Sequence, residues 1–453
     1  MPLPPPAPAL SEPRKEEYGN RAMTRFDRNE LRRSVANRRD RAIDDLCALV
    51  RHNSLLGNET SAQNWVADRF ADMGLSVERV AINIDALRDL PGFSPPVTTE
   101  YNGRENIVGI HQPAKQTGRS LILNGHIDVV PTGPVAQWRR GPFDPYVERD
   151  WLYGRGAGDM KAGIIAYYHA LAALHDLGLE PAAPVILQSV VEEECTGNGA
   201  LACLHAGYRA DCAIIPEPFN QTLMTAQLGV MWFQLHVTGS PAHVLDTSAG
   251  SNAIEAAFGF FETLKEVEDI WNHPTHRHAA YGAHIHPVNF NLGKIEGGEW
   301  ASTVPPVCSA DIRVGFYPGM ELAKVRETIE EVAKSAMENH PACRGAEFKI
   351  TYRGFQAEGC VMDETHPMMT MIGDIHHEVT GNAIKNYAST ATTDARFFQI
   401  YGNIPATCYG PKAERIHGID ERVSISSMME VTEVLALFIA DWCGVTKRDN
   451  HAA

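Results

Sequence analysis

Short apolar segments alternate with helix-like segments through the first half of this 453-residue chain. NIVGIHQP, SLILNGHIDVV, PVILQSVV and CAIIPEP have the length and composition of buried strands, and IIAYYHALAALHDLG has the apolar face of a helix. From Phe26 to about Leu75, apolar residues recur at intervals of three and four, which predicts helices. Strands that alternate with helices predict an α/β fold in which a mostly parallel sheet is flanked by helices.

The pattern changes after about residue 225. MWFQLHVTG alternates apolar and polar residues like a strand, and it is followed by an amphipathic helix, two strands, a second helix and a last strand, AEFKITYRGFQ. This β-α-β-β-α-β order is typical of a ferredoxin-like α+β domain. We therefore predict that residues 226–357 are inserted into a discontinuous α/β domain at 20–225 and 358–447, after a flexible N-terminal arm at 1–19.

The composition excludes several classes of protein. A net charge of −16 argues against nucleic acid or a membrane as a partner, since either would need a basic patch. Every apolar run is shorter than a membrane span, and the N-terminus lacks the basic and apolar regions of a signal peptide. Nine cysteines are scattered without a C-x-x-C pair, which predicts reduced thiols in a cytoplasmic protein.

Acidic and imidazole side chains stand at or just past the ends of the predicted strands. His126 and Asp128 close one strand, Glu217 closes another, and Asp159 and His417 lie in the glycine-containing segments GRGAGDMKAG and ERIHGIDE. Carboxylates and imidazoles are the ligands that borderline divalent metals prefer. Because residues i and i+2 of a strand point to the same face, we expect the Asp128 carboxylate to accept the second ring N–H of His126 and fix its tautomer.

Three consecutive glutamates, Glu192 to Glu194, follow the strand PVILQSVV. They cannot all point one way on a strand, but a bend would allow one to bind a metal while a neighbour moves protons. Cys195 comes next, but thiol catalysis needs a positioned histidine base that no motif supplies. GRGAGDMKAG differs from both nucleotide-binding loop patterns, so we expect its glycines to allow a tight turn that presents Asp159.

An ordered series of motifs connects the chain to a known family. GHIDVVP, GRGAGDMKAG, EEExxGxG, PEP, G-x-P-A-H and a late H-x-x-D-E follow one another across nearly the whole chain after the N-terminal arm. The series resembles that of the zinc aminoacylase and carboxypeptidase superfamily, which contains acetylornithine deacetylase, succinyl-diaminopimelate desuccinylase, aminoacylase and glutamate carboxypeptidase. The resemblance implies an α/β catalytic domain with an inserted ferredoxin-like lid that usually dimerises.

The resemblance also implies a centre of two divalent metal ions. The implied metal ligands are His126, Asp159, Glu194, Glu217 and His417. Asp159 would bridge the two ions, with His126 and Glu217 completing one site. Glu194 and His417 would complete the other. Zinc is the default metal of the family, and an oxygen-rich ligand set with only two imidazoles also accepts cobalt or manganese.

The catalytic and substrate-binding residues are likewise implied by the resemblance. Glu193 would be the general base that activates a bridging water and then protonates the leaving nitrogen. His243, in G-x-P-A-H, corresponds to a lid histidine that stabilises the oxyanion in the partner subunit's active site. Arg396 and Arg313 correspond to arginines that bind a substrate carboxylate, a task that suits a planar guanidinium. Ser302 stands where many relatives have asparagine, and STATTD lacks their glycine pair, so the substrate pocket departs from the family pattern.

Two classes of function follow. The first is a metal-dependent hydrolase of the amide C–N bond of an N-acyl amino acid or a related small carboxylate, closest to the acetylornithine deacetylase branch. Within the enzyme class, the alternatives are a dipeptidase, a carboxypeptidase, or a hydrolase of carbamoyl or aryl-amine C–N bonds. The second class is a non-enzymatic binding module, which Glu193 disfavours because such a module needs no proton shuttle. We also expect a homodimer formed through the lid.

Overall fold

The computed structural model describes residues 26–98 and 100–448. The predicted N-terminal arm, 1–19, and the first residues of the predicted α/β domain lie outside these ranges. The α-helices of the described residues are α1 (Arg28–Asn37), α2 (Arg39–Arg51), α3 (Thr60–Asp72), α4 (Ile84–Leu87), α5 (Ala162–Asp176), α6 (Asn198–His205), α7 (Ala253–Asn272), α8 (Leu322–Asn339), α9 (Pro367–Thr380) and α10 (Ile425–Cys443).

The strands of the described residues form five sheets. In chain order they are β1 (Ser76–Ala81), β2 (Glu105–His111), β3 (Leu121–His126), β4 (Tyr146–Glu148), β5 (Trp151–Tyr153), β6 (Leu179–Pro181), β7 (Val185–Val190), β8 (Cys212–Ile215), β9 (Leu223–Gln227), β10 (Gly229–Thr238), β11 (Phe290–Gly297), β12 (Val307–Phe316), β13 (Glu347–Ala357), β14 (Cys360–Val361), β15 (Asn386–Ser389), β16 (Ala406–Cys408), β17 (Ala413–Glu414), β18 (Arg422–Ser424) and β19 (Val445–Lys447).

The largest sheet has six strands in the order β1-β2-β7-β3-β8-β16. β7, β3, β8 and β16 pair in parallel, whereas β1 and β2 extend one edge through antiparallel ladders. The sheet is therefore more mixed than the sequence predicts. β2 pairs antiparallel with both of its neighbours, β1 and β7, and among the described residues the connection from β1 to β2 contains the four-residue α4.

Helices enclose this sheet and form the larger apolar core with it. α5 is buried along almost its whole length, because α1, α2, α10 and the sheet pack around it. Its alanine-rich sequence allows these neighbours to approach closely. Gly163, near its N-terminus, lies against the main-chain carbonyl of Pro216. The strands beneath α5 are largely apolar, as expected for a sheet covered on both faces, although Asn124, Gln188 and Ser189 are also buried there.

A separate sheet of four antiparallel strands, in the order β11-β12-β10-β13, carries its own apolar core. Its elements follow one another as β10, α7, β11, β12, α8 and β13. Along β10, Phe233, Leu235 and Val237 point into the core that α7 and α8 cover. Trp232 and Gln234 therefore point to the opposite face of the sheet. That face is turned towards the α/β unit.

Three smaller sheets complete the fold: β14-β9-β15, β17-β18-β5-β4 and the pair β19-β6. The first of these connects the two larger sheets, because β9 leads directly into β10. All nine cysteines are free thiols. In the described part of the chain, no helix combines the length and the apolar character needed to cross a lipid bilayer.

Candidate metal centre and active site

Three neighbouring parallel strands of the six-stranded sheet end at the same edge and deliver acidic or imidazole side chains there. β3 ends at His126, β7 ends two residues before Glu192, and β8 ends two residues before Glu217. β7, β3 and β8 are adjacent in the sheet. Because the carboxyl ends of parallel strands share one edge, the side chains of distant chain segments gather in one place.

Asp159 reaches the same place from a tight turn at Ala157–Lys161. Gly156 precedes this turn with a left-handed φ of 78°, and a Cβ at this position would lie 2.6 Å from the side chain of Val129. Only glycine meets both conditions without strain. The peptide bond between Asp159 and Met160 is cis.

Glu421 holds this turn in place. Its carboxylate accepts three main-chain N–H groups of the turn, including that of Asp159, at 3.0–3.1 Å. It also accepts a hydrogen bond from the Arg155 guanidinium at 2.6 Å. Glu421 and Arg155 are each 1% exposed. Because Glu421 follows His417 by four residues, one loop supplies both the candidate metal ligand His417 and the carboxylate that positions a second candidate ligand, Asp159.

The candidate ligands form two groups that share Asp159. In the first, His126 Nε2 lies 3.1 Å from Asp159 Oδ1 and 3.8 Å from Glu217 Oε1. In the second, His417 Nε2 lies 3.5 Å from Asp159 Oδ2 and 3.2 Å from Glu194 Oε2. Within each group, the potential ligand atoms all lie within 4.8 Å of one another. The two oxygens of Asp159 thus face different groups.

Negative charge is concentrated in this site. Burial raises the pKa of Glu193 and of Glu217, and repulsion from neighbouring carboxylates adds to the effect. Burial would lower the pKa of His126, but the hydrogen bond to Asp159 and the charge of Glu217 outweigh it and raise that pKa well above its usual value. Burial would also lower the pKa of His417, but the charge of Glu194 and the bond to Asp159 raise it to about 11. Bound cations would relieve this excess charge.

The donor atoms fit divalent metal ions. Glu217 Oε1 in the first group and Glu194 Oε1 in the second are buried oxygens that accept no hydrogen bond within the described residues. A buried polar atom without a partner costs about 1–3 kcal/mol, so each group has an oxygen that a cation would satisfy. Each group also combines an imidazole nitrogen with carboxylate oxygens, which is a ligand set of zinc and related metals.

Asp128 supports the site differently from the prediction. The Nδ1–H of His126 donates to the main-chain carbonyl of Asp128 at 2.9 Å, whereas the Asp128 carboxylate is 3.7 Å away. The carboxylate instead accepts the main-chain N–H groups of Glu193 and Glu194, at 3.2 and 3.1 Å. β3 ends at His126, so the strand rule that relates residues i and i+2 does not apply to Asp128.

Glu192 turns away from the candidate ligands. Its backbone is left-handed, with φ of 67°, and its carboxylate accepts hydrogen bonds from Arg104 and from Thr196 Oγ1, each at 2.7 Å. Arg104 donates two further hydrogen bonds to Glu59, at 3.0 and 2.7 Å. These three charged side chains are at most 2% exposed. The bend after β7 thus makes Glu192 an anchor and turns the next two glutamates towards the site.

Glu193, the predicted general base, lies beside both ligand groups. Its Oε2 is 3.9 Å from His126 Nε2. Asp394 is a further buried carboxylate nearby, and its charge contributes to the raised pKa of Glu193. Asp394 Oδ2 accepts no hydrogen bond from the described residues. The sequence prediction considered TTDARFF only for its arginine and therefore missed Asp394.

The two predicted substrate-binding arginines lie in different surroundings. Arg396 is 1% exposed, donates to the Thr196 carbonyl at 2.8 Å and lies over the ring of Phe397. Its Nη1 is buried without a partner among the described residues. Arg313 instead lines a cleft and donates only to the main-chain carbonyls of Asn289 and Thr390, at 2.9 and 3.3 Å.

His243 and Ser302 lie next to each other in the unit that carries the four-stranded sheet. His243 forms an isolated antiparallel bridge with Thr303, and the N–H of Val244 donates to the Ser302 carbonyl at 3.4 Å. Both predicted site residues are exposed.

A cleft of about 480 Å³ lies between the four-stranded sheet and the α/β unit, next to the candidate ligands. Side chains from both units line it, among them Val97, Asp128, Glu194, Trp232, Arg313 and Arg353. It is the natural place for a small substrate, because it is concave, mainly apolar and adjacent to the acidic cluster.

Three residues that shape this site were not predicted from the sequence: Glu421, Arg104 and Asp394. Glu421 could have been found, since it is the last residue of the H-x-x-D-E motif that contains His417. Arg104 stands in a loop without a motif, and its partners are distant in sequence.

Comparison with known proteins places these features in context. The model of peptidase family M20/M25/M40 matches residues 122–441. An N-formyl-4-amino-5-aminomethyl-2-methylpyrimidine deformylase from Halalkalibacterium halodurans is 29% identical, over 77% of this chain and 85% of the deformylase. A succinyl-diaminopimelate desuccinylase from Methylobacillus flagellatus is 25% identical, over 84% of this chain and 93% of that protein.

Solved structures show the same fold at lower identity. A di-peptidase from Saccharomyces cerevisiae superposes with a TM-score of 0.75 and 14% identity, covering 92% of this chain and 98% of that one. The similarity extends over both larger sheets, since so little of either chain is left uncovered.

Proposed function

Because this chain belongs to peptidase family M20/M25/M40 and is a hydrolase of C–N amide bonds, we propose that it is a dinuclear metal-dependent deacylase of small N-acylated carboxylates. The observation that carries the proposal is the position of Asp159. Its Oδ1 faces His126 and its Oδ2 faces His417. A carboxylate placed in this way can bridge two ions, as two-metal hydrolysis requires.

The proposed metal ligands divide between the two groups. His126, Asp159 and Glu217 would hold one ion, and Asp159 would share the second with Glu194 and His417. Zinc suits mixed imidazole and carboxylate ligands, and cobalt or manganese would also be accepted. When bound, two such ions lower the pKa of water and polarise the carbonyl of the scissile amide.

The proposed task of Glu193 is proton transfer. Its carboxylate takes a proton from the attacking water and returns it to the amide nitrogen, which is a poor leaving group until it is protonated. Burial raises the pKa of Glu193, and such a shift suits a group that must both accept and release a proton near neutral pH. Asp128 supports this role, because its carboxylate holds the Glu193 main chain.

Residues 226–357 are proposed to act as a lid and dimerisation domain on a catalytic domain formed by 20–225 and 358–447. His243 would then stabilise the oxyanion in the partner subunit's active site. Exposed apolar side chains close to His243 support a subunit contact in this region, since Leu245 is 90% exposed and Trp300 is 74% exposed.

The proposed substrate is a small N-acylated molecule with a carboxylate. Arg313 would bind that carboxylate from the cleft, and Arg396 and Ser302 are proposed to contribute to the substrate pocket in the closed dimer. The deformylase and the desuccinylase support removal of an acyl group, as their identities exceed that of the di-peptidase. Dipeptide cleavage is the second candidate, favoured by the TM-score of 0.75 with the di-peptidase. Hydrolysis of carbamoyl or aryl-amine C–N bonds remains a prediction from the sequence. The cytoplasmic location likewise remains a prediction.

The test is a hydrolysis screen with metal-depleted protein and with protein reconstituted with zinc, cobalt or manganese. N-formyl, N-acetyl, N-succinyl, N-carbamoyl and dipeptide substrates cover the candidates. We expect turnover of an N-acyl substrate only after reconstitution, with two metal equivalents per chain. Glu193→Gln should abolish turnover at unchanged metal content, whereas Glu148→Gln, an exposed control, should not. Activity in metal-free protein, or full activity of Glu193→Gln, would contradict the proposal.

A further inference from the structure

The cleft between the four-stranded sheet and the α/β unit has features that select a particular kind of substrate. We infer that it accepts amides that carry a flat aromatic ring together with an anionic group, and that Trp232 determines this specificity. The inference rests on the proposed hydrolase function, but it concerns which substrate is chosen rather than how the bond is broken.

Trp232 is a rigid aromatic surface at the edge of the acidic cluster. A Cβ on Gly354 would lie 2.5 Å from Trp232 Cε3, 3.2 Å from Val97 Cγ1 and 3.3 Å from the Cys195 carbonyl. The indole therefore packs directly over the Gly354 backbone, at the point where the segment after Glu194 arrives. Phe355 meets the indole edge-on, with ring centroids 5.1 Å apart and an interplanar angle of 88°. These contacts fix the ring before any substrate binds.

Strand register places a positive charge beside this ring. Trp232 on β10 is directly opposite Arg313 on β12, and Asn291 on β11 is the next partner of Arg313. Directly opposite residues of an antiparallel pair share one face, with Cβ atoms about 4.5–5.5 Å apart. The cleft floor is thus a row of polar and aromatic side chains across three strands, with the indole and the guanidinium as neighbours.

The charges of this floor do not cancel. Asp311, the nearest acidic residue of the row, accepts hydrogen bonds from Arg353 and Gln234, each at 2.8 Å. Arg313 makes no ion pair with any described carboxylate, since its two hydrogen bonds go to main-chain carbonyls. One guanidinium of this floor, that of Arg313, is therefore available to an anion, and an ammonium group placed against the floor would meet its unpaired positive charge.

The α/β unit lines the cleft with the apolar side chains of Leu56, Val129, Val130 and Pro131, beside the carboxylates of Asp128 and Glu194. A planar ring fits between these apolar side chains and an indole, because aromatic side chains prefer offset-stacked or edge-to-face contacts at centroid distances of about 4.5–7 Å.

The inference is tested with matched N-acetyl amino acids and zinc-loaded full-length protein. N-acetylphenylalanine provides both the ring and the anion. N-acetylcyclohexylalanine has the bulk without the π-system, and N-acetylphenylalaninamide has the ring without the anion. N-acetylornithine carries a cationic chain. N-benzoylglycine places the ring on the acyl side. We expect kcat/KM to be about tenfold or more higher for the better of the two aromatic acids than for N-acetylornithine. Equal or higher kcat/KM for N-acetylornithine would overturn the inference.

Variants assign the preference to Trp232. Trp232→Ala should lower kcat/KM about tenfold or more for the aromatic acids and less than threefold for the aliphatic ones, mainly through KM. Trp232→Phe should restore most of the loss. Trp271→Ala is the matched control, because its ring also belongs to the four-stranded unit but packs against Phe290, 5.5 Å away. A uniform loss on all substrates, or the same selectivity change in Trp271→Ala, would refute the role of Trp232.

Binding separates failure of this inference from failure of the proposed function. Titration calorimetry with zinc-loaded Glu193→Gln measures affinity without turnover, using N-acetylphenylalanine, N-benzoylglycine and N-acetylornithine as probes. Tighter binding of an aromatic acid supports the inference even if no amide is hydrolysed. Equal binding of all three overturns it even if hydrolysis proves the deacylase activity.

Discussion

Replacing Glu421 should weaken metal binding although Glu421 is not a candidate ligand. Its carboxylate accepts four hydrogen bonds, three from the main chain of the turn that carries Asp159 and one from the buried Arg155. In Glu421→Gln, one of the two oxygens becomes an NH2 group. Whichever way the amide is oriented, that NH2 faces two donors, and the positive charge of Arg155 loses its buried partner.

The magnitude follows from these contacts. Breaking a buried ion pair from one side typically costs about 3–5 kcal/mol, and the unpaired N–H groups add to the strain on the turn. We therefore expect the free energy of unfolding of the α/β unit to fall by about 3–5 kcal/mol. Loss of a residue that orients a ligand typically lowers metal affinity about 10–100-fold, so we expect a loss of this size for zinc.

Two measurements check this prediction. Urea unfolding followed by circular dichroism gives the change in stability, and competition with a chromophoric chelator gives the zinc affinity. Glu268→Gln is a matched control, since Glu268 is also 1% exposed and accepts hydrogen bonds from His286 and the Phe290 N–H. It should lose stability but keep its zinc affinity. An unchanged zinc affinity in Glu421→Gln, or an equal loss in both variants, would refute the reasoning.

Three further predictions concern the surroundings of the site. Glu192→Gln should lower kcat about tenfold or more at unchanged metal content, because the Glu192–Glu194 segment loses its charged hydrogen bond to Arg104. Glu59→Gln should cost similar thermal stability with a smaller effect on kcat. Steady-state kinetics and thermal unfolding compare the two variants, and equal losses of kcat would contradict the prediction. His243→Ala should lower kcat about 100-fold without loss of bound metal, measured by kinetics and metal analysis, as removal of an oxyanion donor typically does. Leu245→Asp should shift a dimer towards monomer in sedimentation velocity, because it places a charge in the proposed contact; an unchanged sedimentation coefficient would exclude Leu245 from the interface.

The parts of the fold that follow short-range rules could be predicted from the sequence. Period-two alternation along β10 separates Phe233 and Leu235, which enter the core, from Trp232, which faces the cleft. Apolar strands that end in His126 or just before Glu217 predict a shared edge, because parallel strands of one sheet end together. These rules fail where an element ends. Asp128 follows the end of β3, so its carboxylate turns to the acidic loop instead of to His126.

Long-range contacts could not be predicted in the same way. Arg104 meets Glu192 across 88 residues and Glu421 meets the Asp159 main chain across 262. No local pattern predicts such pairs, since the sequence around each of these side chains is also typical of an ordinary charged residue on the surface. The antiparallel edge of the six-stranded sheet has the same origin: the direction of β2 depends on its partner β7, which lies far along the chain.

The positions of these anchors explain how three carboxylates, those of Asp159, Glu193 and Glu194, can be held together in one site. Asp128 binds the main chain of Glu193 and Glu194, Glu421 binds the main chain of Asp159, and in both cases the contact is to backbone N–H groups. Backbone anchors fix the loops while leaving the ligand oxygens unoccupied, as the unpaired Oε1 of Glu194 indicates. Direct side-chain bonds to the ligands would have fixed the loops equally well but would have competed with a metal for the same lone pairs. The geometry of the site is therefore set by residues outside the candidate ligand set, and we expect substitutions at these positions to change metal affinity through the placement of the ligands and not through their number.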